Sequence, residues 1–154
     1  MNNHLKFFID GSWVDPVAPK TIEVIDPSTE EVYTAISAGS AADVDKAVAA
    51  AKSAFASFSL TSKEERLVLL KRILECYNER FEDIAQAVSQ EMGAPLPFAR
   101  DSQAWAGRGH MEATIAAFED YQFTEKRGST TVIKEPIGVC ALITPWNWPM
   151  NQIV

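Results

Sequence analysis

The first forty residues alternate between apolar and polar positions in the way that is typical of β-strands. Apolar residues 7–9 and 13–14 flank Asp10 and Gly11, and both of these turn residues accept the positive φ angles of a tight hairpin. A second alternating stretch covers residues 21–37 and is interrupted by a turn with a proline and two hydroxyl side chains. We therefore predict that the chain begins with two antiparallel β-hairpins.

From Ser40 onward the apolar positions recur with the period of an α-helix. Ser40 and Asp43 have the spacing of a capping box, in which the serine oxygen accepts a backbone N–H of the first helical turn. A second helix is predicted to begin at residues 61–62 and to end at Gly93, and a third to run from about residue 97 to residue 123. The middle of the chain is therefore predicted to consist of three helices.

Gly107 and Gly109 interrupt the third predicted helix, where each glycine costs about 1 kcal/mol relative to alanine. Together with the residues that follow they resemble the start of a dinucleotide-binding fingerprint. Glu112, however, stands where the third glycine would be, and no strand precedes the segment. We therefore expect a packing reason for these glycines and not a phosphate-binding loop.

The β pattern returns after residue 124. Residues 125–128 are charged and end in glycine, which favours a turn, and residues 129–134 are β-branched and half polar, as in an antiparallel strand with one solvent-exposed face. Residues 138–143 are apolar at every position after the glycine, a pattern that predicts a parallel strand buried on both faces. Such a strand needs a parallel neighbour, and because none follows within the chain, we expect this sequence to be truncated.

The composition is typical of a soluble globular protein and disfavours several classes of partner. The 154 residues are 47% hydrophobic and 23% charged, and 14 basic against 21 acidic side chains give a net charge of −7. A surface this negative repels phosphate backbones and anionic lipids, so nucleic-acid and membrane partners are not expected. The apolar neighbours of Cys76 and Cys140 predict reduced, buried thiols and a cytoplasmic protein.

Residues 144–149 hold side chains that a plain fold does not require. Two tryptophans and two prolines follow the carboxyl end of the predicted buried strand, which is where open α/β sheets bind ligands. Asn147 stands between the two indoles, and its carboxamide can donate to a developing oxyanion. The alternative interpretation is a connection rich in tryptophan and proline that only packs. Neither histidine has a partner at metal-ligand spacing, so no metal site is predicted from the residues.

Residues 138–149 resemble the strand and asparagine loop of the NAD(P)-dependent aldehyde dehydrogenase superfamily. Further segments follow in the order of that family over almost the whole chain, at residues 8–13, 24–32, 43–55, 65–66, 91–95 and 135–138. The resemblance implies an α/β fold of the aldehyde dehydrogenase type. In that fold, N-terminal β-hairpins and three helices lead into a Rossmann-like parallel sheet, which would be incomplete here.

The resemblance also implies a division of the chain and an assembly. Residues 1–123 would form the N-terminal part of the cofactor-binding domain. Residues 124–136 would begin the β arm through which the family builds homodimers or homotetramers. Residues 137–154 would hold the first buried parallel strand and the asparagine loop.

Roles for the loop follow from the same resemblance. Asn147 would donate its side-chain N–H to the oxygen of a tetrahedral thiohemiacetal. The crevice for NAD or NADP would be lined by Ile143, Thr144, Pro145, Trp146 and Asn147.

Other parts of the family's machinery fall outside the chain or match it incompletely. The family's cysteine nucleophile and glutamate base come after residue 154, so Cys76 and Cys140 are both interpreted as structural. Glu91 and the backbone of Ile25 match a place where some members hold a monovalent cation, although the position of Glu91 usually carries aspartate.

Two functions from different classes follow from the sequence. The first is the N-terminal portion of an enzyme that oxidises an aldehyde to a carboxylic acid with NAD(P)+ through a cysteine thiohemiacetal. The second is a catalytically inactive fragment that acts only as an interaction or oligomerisation module. The downstream coding sequence separates them, because the first requires a further cysteine and glutamate.

Overall fold

The computed structural model describes residues 4–154, and its N-terminal part consists of two antiparallel hairpins, as predicted. Their strands are β1 (Phe7–Ile9), β2 (Ser12–Val14), β3 (Thr21–Asp26) and β4 (Glu31–Ser37), with β1 paired to β2 and β3 paired to β4. Asp10 and Gly11 adopt φ angles of 52° and 72° in the first turn. These angles lie in the left-handed region that the sequence of this turn predicted.

Three helices follow, namely α1 (Ala41–Phe58), α2 (Lys63–Glu79) and α3 (Phe81–Met92). The predicted capping box is confirmed, because the Ser40 N–H donates to the Asp43 carboxylate at 2.9 Å and the Asp43 N–H donates to the Ser40 hydroxyl oxygen at 3.4 Å. Ser62 caps α2 in the same way, at the predicted start. Gly93 ends α3 with a φ of 74°, as expected for a left-handed C-cap.

A long helical unit with an irregular first part covers the region of the third predicted helix. It consists of α4 (Leu96–Phe98), a π-helical segment (Ala99–Ala104) and α5 (Trp105–Asp120). The predicted helix is therefore confirmed, with its ends moved by one to three residues. The π-helical segment was not predicted, since no periodicity in the sequence marks a single widened turn.

The prediction of one helix from residues 61–62 to Gly93 is wrong, because the chain leaves the helical conformation at Arg80. There φ is −106° and ψ is 11°. After this break α3 packs against β3 and the π-helical segment, whereas α2 packs against α5. The apolar stripe continues through both helices because each of them needs an apolar face. The two faces pack against different elements, which is why the sequence shows no break.

A third hairpin follows α5, and it corrects one predicted turn. β5 (Thr124–Arg127) pairs antiparallel with β6 (Thr130–Ile133), and the connection is a turn in which Gly128 has a φ of 61°. Residues 125–127, predicted as a turn, are therefore strand. Charged side chains do not prevent this, because both strands are largely exposed and need no apolar face. The antiparallel strand predicted at residues 129–134 is confirmed over Thr130–Ile133.

The buried parallel strand predicted at residues 138–143 is not formed in this structure. Leu142 and Ile143 are 82% and 95% exposed, and the segment pairs with no strand among residues 4–154. A strand requires a neighbour for its backbone N–H and C=O groups, and the described part of the chain offers only three two-stranded antiparallel sheets. The predicted burial of both thiols is also wrong. Cys140 lies in this exposed segment, and Cys76 lies on an exposed face of α2.

The apolar core lies where α3, the π-helical segment and a short last helix, α6 (Pro149–Ile153), meet. Its buried members are Val88, Ala94 and Ala99, with Ile84, Met92 and Met150 packed against them. None of the helices in residues 4–154 is both long and apolar enough to cross a bilayer.

Candidate functional site

The loop that the sequence singled out is a short connection between the exposed segment and α6. Pro149 occupies the first turn of α6, where a proline lacks no hydrogen bond that the helix needs. α6 packs against both α5 and the π-helical segment. The loop is therefore held at its C-terminal end by a helix that belongs to the core.

Two contacts hold the chain at Asn147 and at the residue that follows it. The Gln103 Nε2–H donates to the carbonyl oxygen of Asn147 at 3.1 Å. The indole of Trp148 packs edge-to-face on Phe98, with ring centroids 5.8 Å apart and an interplanar angle of 77°. One partner comes from the π-helical segment and the other from α4, so this helical unit determines where the loop lies.

Unlike Trp148, the side chains of Trp146 and Asn147 are exposed to solvent. Asn147 is exposed, Trp146 is 84% exposed, and the Asn147 carboxamide makes no hydrogen bond within residues 4–154. A carboxamide held by its backbone and free at its N–H₂ group can donate to a group outside the chain. The Asn147 N–H₂ group is therefore available as a hydrogen-bond donor.

A groove of about 630 Å³ lies beside the loop, between β3, α3 and α6. It contains three of the five residues predicted to line the cofactor crevice, namely Thr144, Pro145 and Trp146. Ile143 and Asn147 do not line it. The remaining lining residues are Val24, Ile84, Ala87, Val88, Glu91, Met92, Pro149, Met150 and Ile153. The groove is therefore largely apolar, with Glu91 as its charged side chain.

An ion pair fixes the outer side of the π-helical segment. The Arg100 guanidinium donates twice to the Glu82 carboxylate, at 2.8 Å and 2.7 Å. The hydrogen bond from Arg100, with a second from Gln86, lowers the pKa of Glu82 from its ordinary 4.5 to about 2. Glu82 is thus ionised at neutral pH and joins α3 to the segment that carries Gln103.

A buried tyrosine fixes the inner side of the same segment. The Tyr77 hydroxyl donates to the carbonyl oxygen of Ala104 at 2.7 Å. Burial raises the pKa of Tyr77, because the phenolate would be poorly solvated there. Tyr77 is therefore a proton-bearing donor at neutral pH.

Of the two residues suggested to hold a monovalent cation, Glu91 lines the groove and Ile25 does not. Glu91 lines the groove, as does Val24, which precedes Ile25 on β3. Residues 4–154 contain no group of three or more histidine, cysteine, aspartate or glutamate side chains that could hold a metal ion. The assignment of Glu91 and Ile25 to a monovalent cation stays a prediction.

The structure adds Gln103 and Phe98, which sequence reasoning missed, to the surroundings of Asn147. A signal for Gln103 was present. It stands four residues after Ala99 and four before Gly107, so a long polar side chain interrupts a stripe of small buried residues. A buried amide in such a position needs a hydrogen-bond partner, which predicts a contact with another element.

Comparison with known proteins agrees with the family resemblance of the sequence. Residues 13–154 match the aldehyde dehydrogenase family. The 3-succinoylsemialdehyde-pyridine dehydrogenase of a Pseudomonas species is 47% identical over 154 residues, which cover 99% of this chain and 32% of that protein.

Solved structures superpose closely on the same region. A crystal structure of aldehyde dehydrogenase from Bartonella henselae has a TM-score of 0.95 and 45% identity, over 99% of this chain and 33% of that chain. A variant of aldehyde dehydrogenase C from Pseudomonas syringae, complexed with NAD+ and octanal, also has a TM-score of 0.95. It is 49% identical over 98% of this chain and 31% of its own.

These likenesses confirm the predicted fold class, an α/β arrangement of the aldehyde dehydrogenase type. The chain spans about a third of the length of the relatives that it matches.

Proposed function

Because the chain belongs to the aldehyde dehydrogenase family, we propose that it is the N-terminal part of an enzyme that oxidises an aldehyde to a carboxylic acid with NAD+ or NADP+. The observation that carries the proposal is the placement of Asn147. Its backbone is tied to the buried Gln103 at 3.1 Å, and its carboxamide is exposed. An amide donor on a backbone-held loop beside an apolar groove is suited to acyl chemistry, in which negative charge develops on a carbonyl oxygen.

The proposed role of Asn147 is to stabilise that oxygen. When a thiolate from the rest of the protein adds to the aldehyde carbon, the carbonyl oxygen becomes an alkoxide, and a carboxamide N–H stabilises this charge more than it stabilises the neutral carbonyl. A donor held in place before the reaction needs no reorganisation when the charge appears. Asn147 would thus raise kcat more than it lowers KM.

The residues around the groove fit a dinucleotide. Thr144, Pro145 and Trp146 form one wall, Pro145 restricts the backbone, and the exposed indole of Trp146 offers a flat apolar surface to a planar ring. Ile143, 95% exposed just before this wall, has apolar surface available to the same ligand. When bound, the nicotinamide would accept a hydride. The NAD+ in the Pseudomonas syringae structure supports this choice of cofactor.

Assembly and location complete the proposal. The hairpin β5–β6 is exposed along both strands, which supports its use as an arm between subunits of a homodimer or homotetramer. The net charge of −7 supports a protein without nucleic-acid partners. A cytoplasmic location is part of the proposal, and the two free cysteines, which form no disulfide, support it.

The test uses the full-length protein that contains this chain, with a panel of aldehydes and with NAD+ and NADP+ in turn. Asn147→Ala should lower kcat by roughly 10²–10³-fold, the usual effect of removing one oxyanion donor. Asn78→Ala is the matched control, because Asn78 is also exposed but lies on α2, away from the loop. An unchanged kcat for a folded Asn147→Ala enzyme would contradict the proposed role. Absence of oxidation of every aldehyde by the parent protein would favour an interaction module.

A further inference from the structure

A single buried glutamine connects the helical core to the loop that carries Asn147. We propose that Gln103 is a positioning residue for the Asn147 carboxamide, which it orients through the Asn147 backbone. The proposal rests on the function proposed above. It concerns a residue that touches neither substrate nor cofactor in that scheme, since Gln103 is 1% exposed.

The burial of Gln103 needs an explanation beyond packing. It is the largest side chain that is fully buried within residues 4–154. Its Nε2–H donates to the Asn147 carbonyl at 3.1 Å, while its Oε1 has no hydrogen-bond partner in the described structure. Burying an amide with one unsatisfied atom is unfavourable, and an apolar side chain of similar volume would avoid that penalty. The structure keeps an amide where stability alone would favour methionine or leucine.

The orientation of the amide follows from the same contact. If the group were turned over, Oε1 would face the carbonyl oxygen of Asn147, and two acceptors would repel each other. The N–H therefore faces Asn147, and the hydrogen bond constrains the rotation of the peptide that follows the Asn147 Cα. Because the carboxamide is attached to this Cα, it moves with the backbone.

The segment that holds Gln103 is itself braced from two sides. The Tyr77 hydroxyl donates to Ala104 O at 2.7 Å on the buried side, and Arg100 donates to Glu82 at 2.7 Å and 2.8 Å on the exposed side. These contacts surround a π-helical segment, a type of widened turn that is found frequently at functional sites. The donor of Gln103 is thus held at a fixed place relative to α2 and α3.

The expected effect of losing the donor follows from the geometry. Without the hydrogen bond the Asn147 peptide can rotate, and a misplacement of about 1 Å at a reacting group can lower the rate by about 10²-fold. Gln103→Met keeps the length of the side chain and removes its N–H. We expect it to lower kcat by about 10- to 100-fold, with KM for the dinucleotide nearly unchanged because Gln103 does not line the groove.

The experiment is a double-mutant cycle in the full-length enzyme, with Gln103→Met, Asn147→Ala and the two changes together. If Gln103 acts through Asn147, the double variant has the kcat of Asn147→Ala alone, because a carboxamide that has been removed cannot be misplaced. Gln122→Met is the control, since Gln122 also donates to a backbone carbonyl, that of Asp120 at 3.3 Å, but is exposed and lies in another region. It should leave kcat and KM at the parent values.

The outcomes separate the two proposals. A large loss of kcat in Asn147→Ala with none in folded Gln103→Met, or losses that multiply in the double variant, would overturn the role of Gln103 and leave the proposed function intact. Parent-like kcat in Asn147→Ala would overturn the proposed role of Asn147 and this proposal with it. If Gln103→Met does not fold, Gln103→Asn replaces it in the cycle. The shorter amide cannot reach the Asn147 carbonyl, and the same comparisons apply.

Discussion

Alanine in place of Gly107 should destabilise the protein even though alanine is the better helix former. Gly107 is buried in α5, and a Cβ at this position would lie 2.5 Å from the Tyr77 hydroxyl oxygen and 3.2 Å from the Met150 Cβ. The substitution gains about 1 kcal/mol of helix propensity. Overpacking costs about 1–3 kcal/mol, and displacing the hydroxyl weakens the hydrogen bond to Ala104, worth about 1 kcal/mol. We expect a net loss of about 1–3 kcal/mol of unfolding free energy.

Gly109, two residues further along α5, is the matched control. The three heavy atoms nearest to a Cβ there all belong to the Trp105 ring, at 3.3–3.7 Å, and Trp105 is 56% exposed and can move. Gly109→Ala should therefore keep most of the gain of about 1 kcal/mol in helix propensity. The two substitutions are chemically identical and should have opposite signs.

The assay is thermal unfolding of full-length variants at one scan rate, since 1 kcal/mol corresponds to roughly 2–4 °C in a domain of this size. Tyr77→Phe should recover part of the loss in Gly107→Ala, because it removes the atom that the new Cβ meets first. An unfolding temperature for Gly107→Ala equal to or above that of the parent would refute the reasoning. So would equal effects at Gly107 and Gly109.

Three further predictions concern the cofactor, acid stability and the isolated chain. Trp146→Ala should raise KM for the dinucleotide several-fold with little change in unfolding temperature, since the indole is 84% exposed. A large fall in unfolding temperature with unchanged cofactor affinity would show that Trp146 is structural. Folding lowers the pKa of Glu82 from 4.5 to about 2, so the stabilisation from its ion pair is complete above about pH 4.5 and is lost as the pH falls towards 2. The difference in unfolding free energy between Glu82→Gln and the parent should therefore shrink over this range. A difference that stays constant would contradict this prediction. Residues 1–154 expressed alone should be insoluble or oligomeric, because Leu142 and Ile143 are 82% and 95% exposed; a monodisperse monomer that unfolds cooperatively would disprove this.

The features that the sequence predicted correctly depend on contacts between residues that are close in the chain. The turn at Asp10 and Gly11 depends on two residues that accept positive φ, and the start of α1 depends on a serine and an aspartate three positions apart. For Asn147 the sequence predicted only rigid proline and tryptophan neighbours, and its role as a donor stays a prediction.

The features that the sequence did not predict depend on contacts between distant parts of the chain. The break at Arg80 is invisible in a continuous apolar stripe, because it reflects different partners for α2 and α3. Residues 138–143 have the composition of a buried strand, but pairing requires a neighbour that residues 4–154 do not contain. The contact from Gln103 to Asn147 joins residues 44 positions apart.

The small residues of the long helical unit connect the stability of the core with the geometry of the site. Ala99 and Ala104 are fully buried, and Gly107 continues the same face without a Cβ. This face allows Tyr77 to approach from α2 and Met150 from α6, and Met150 follows Asn147 by only three residues. A larger side chain on this face would displace α6, and the loop that leads into α6 would move with it. Gly107, which lowers the helix propensity of α5, is thus one of the residues that determine where Asn147 lies.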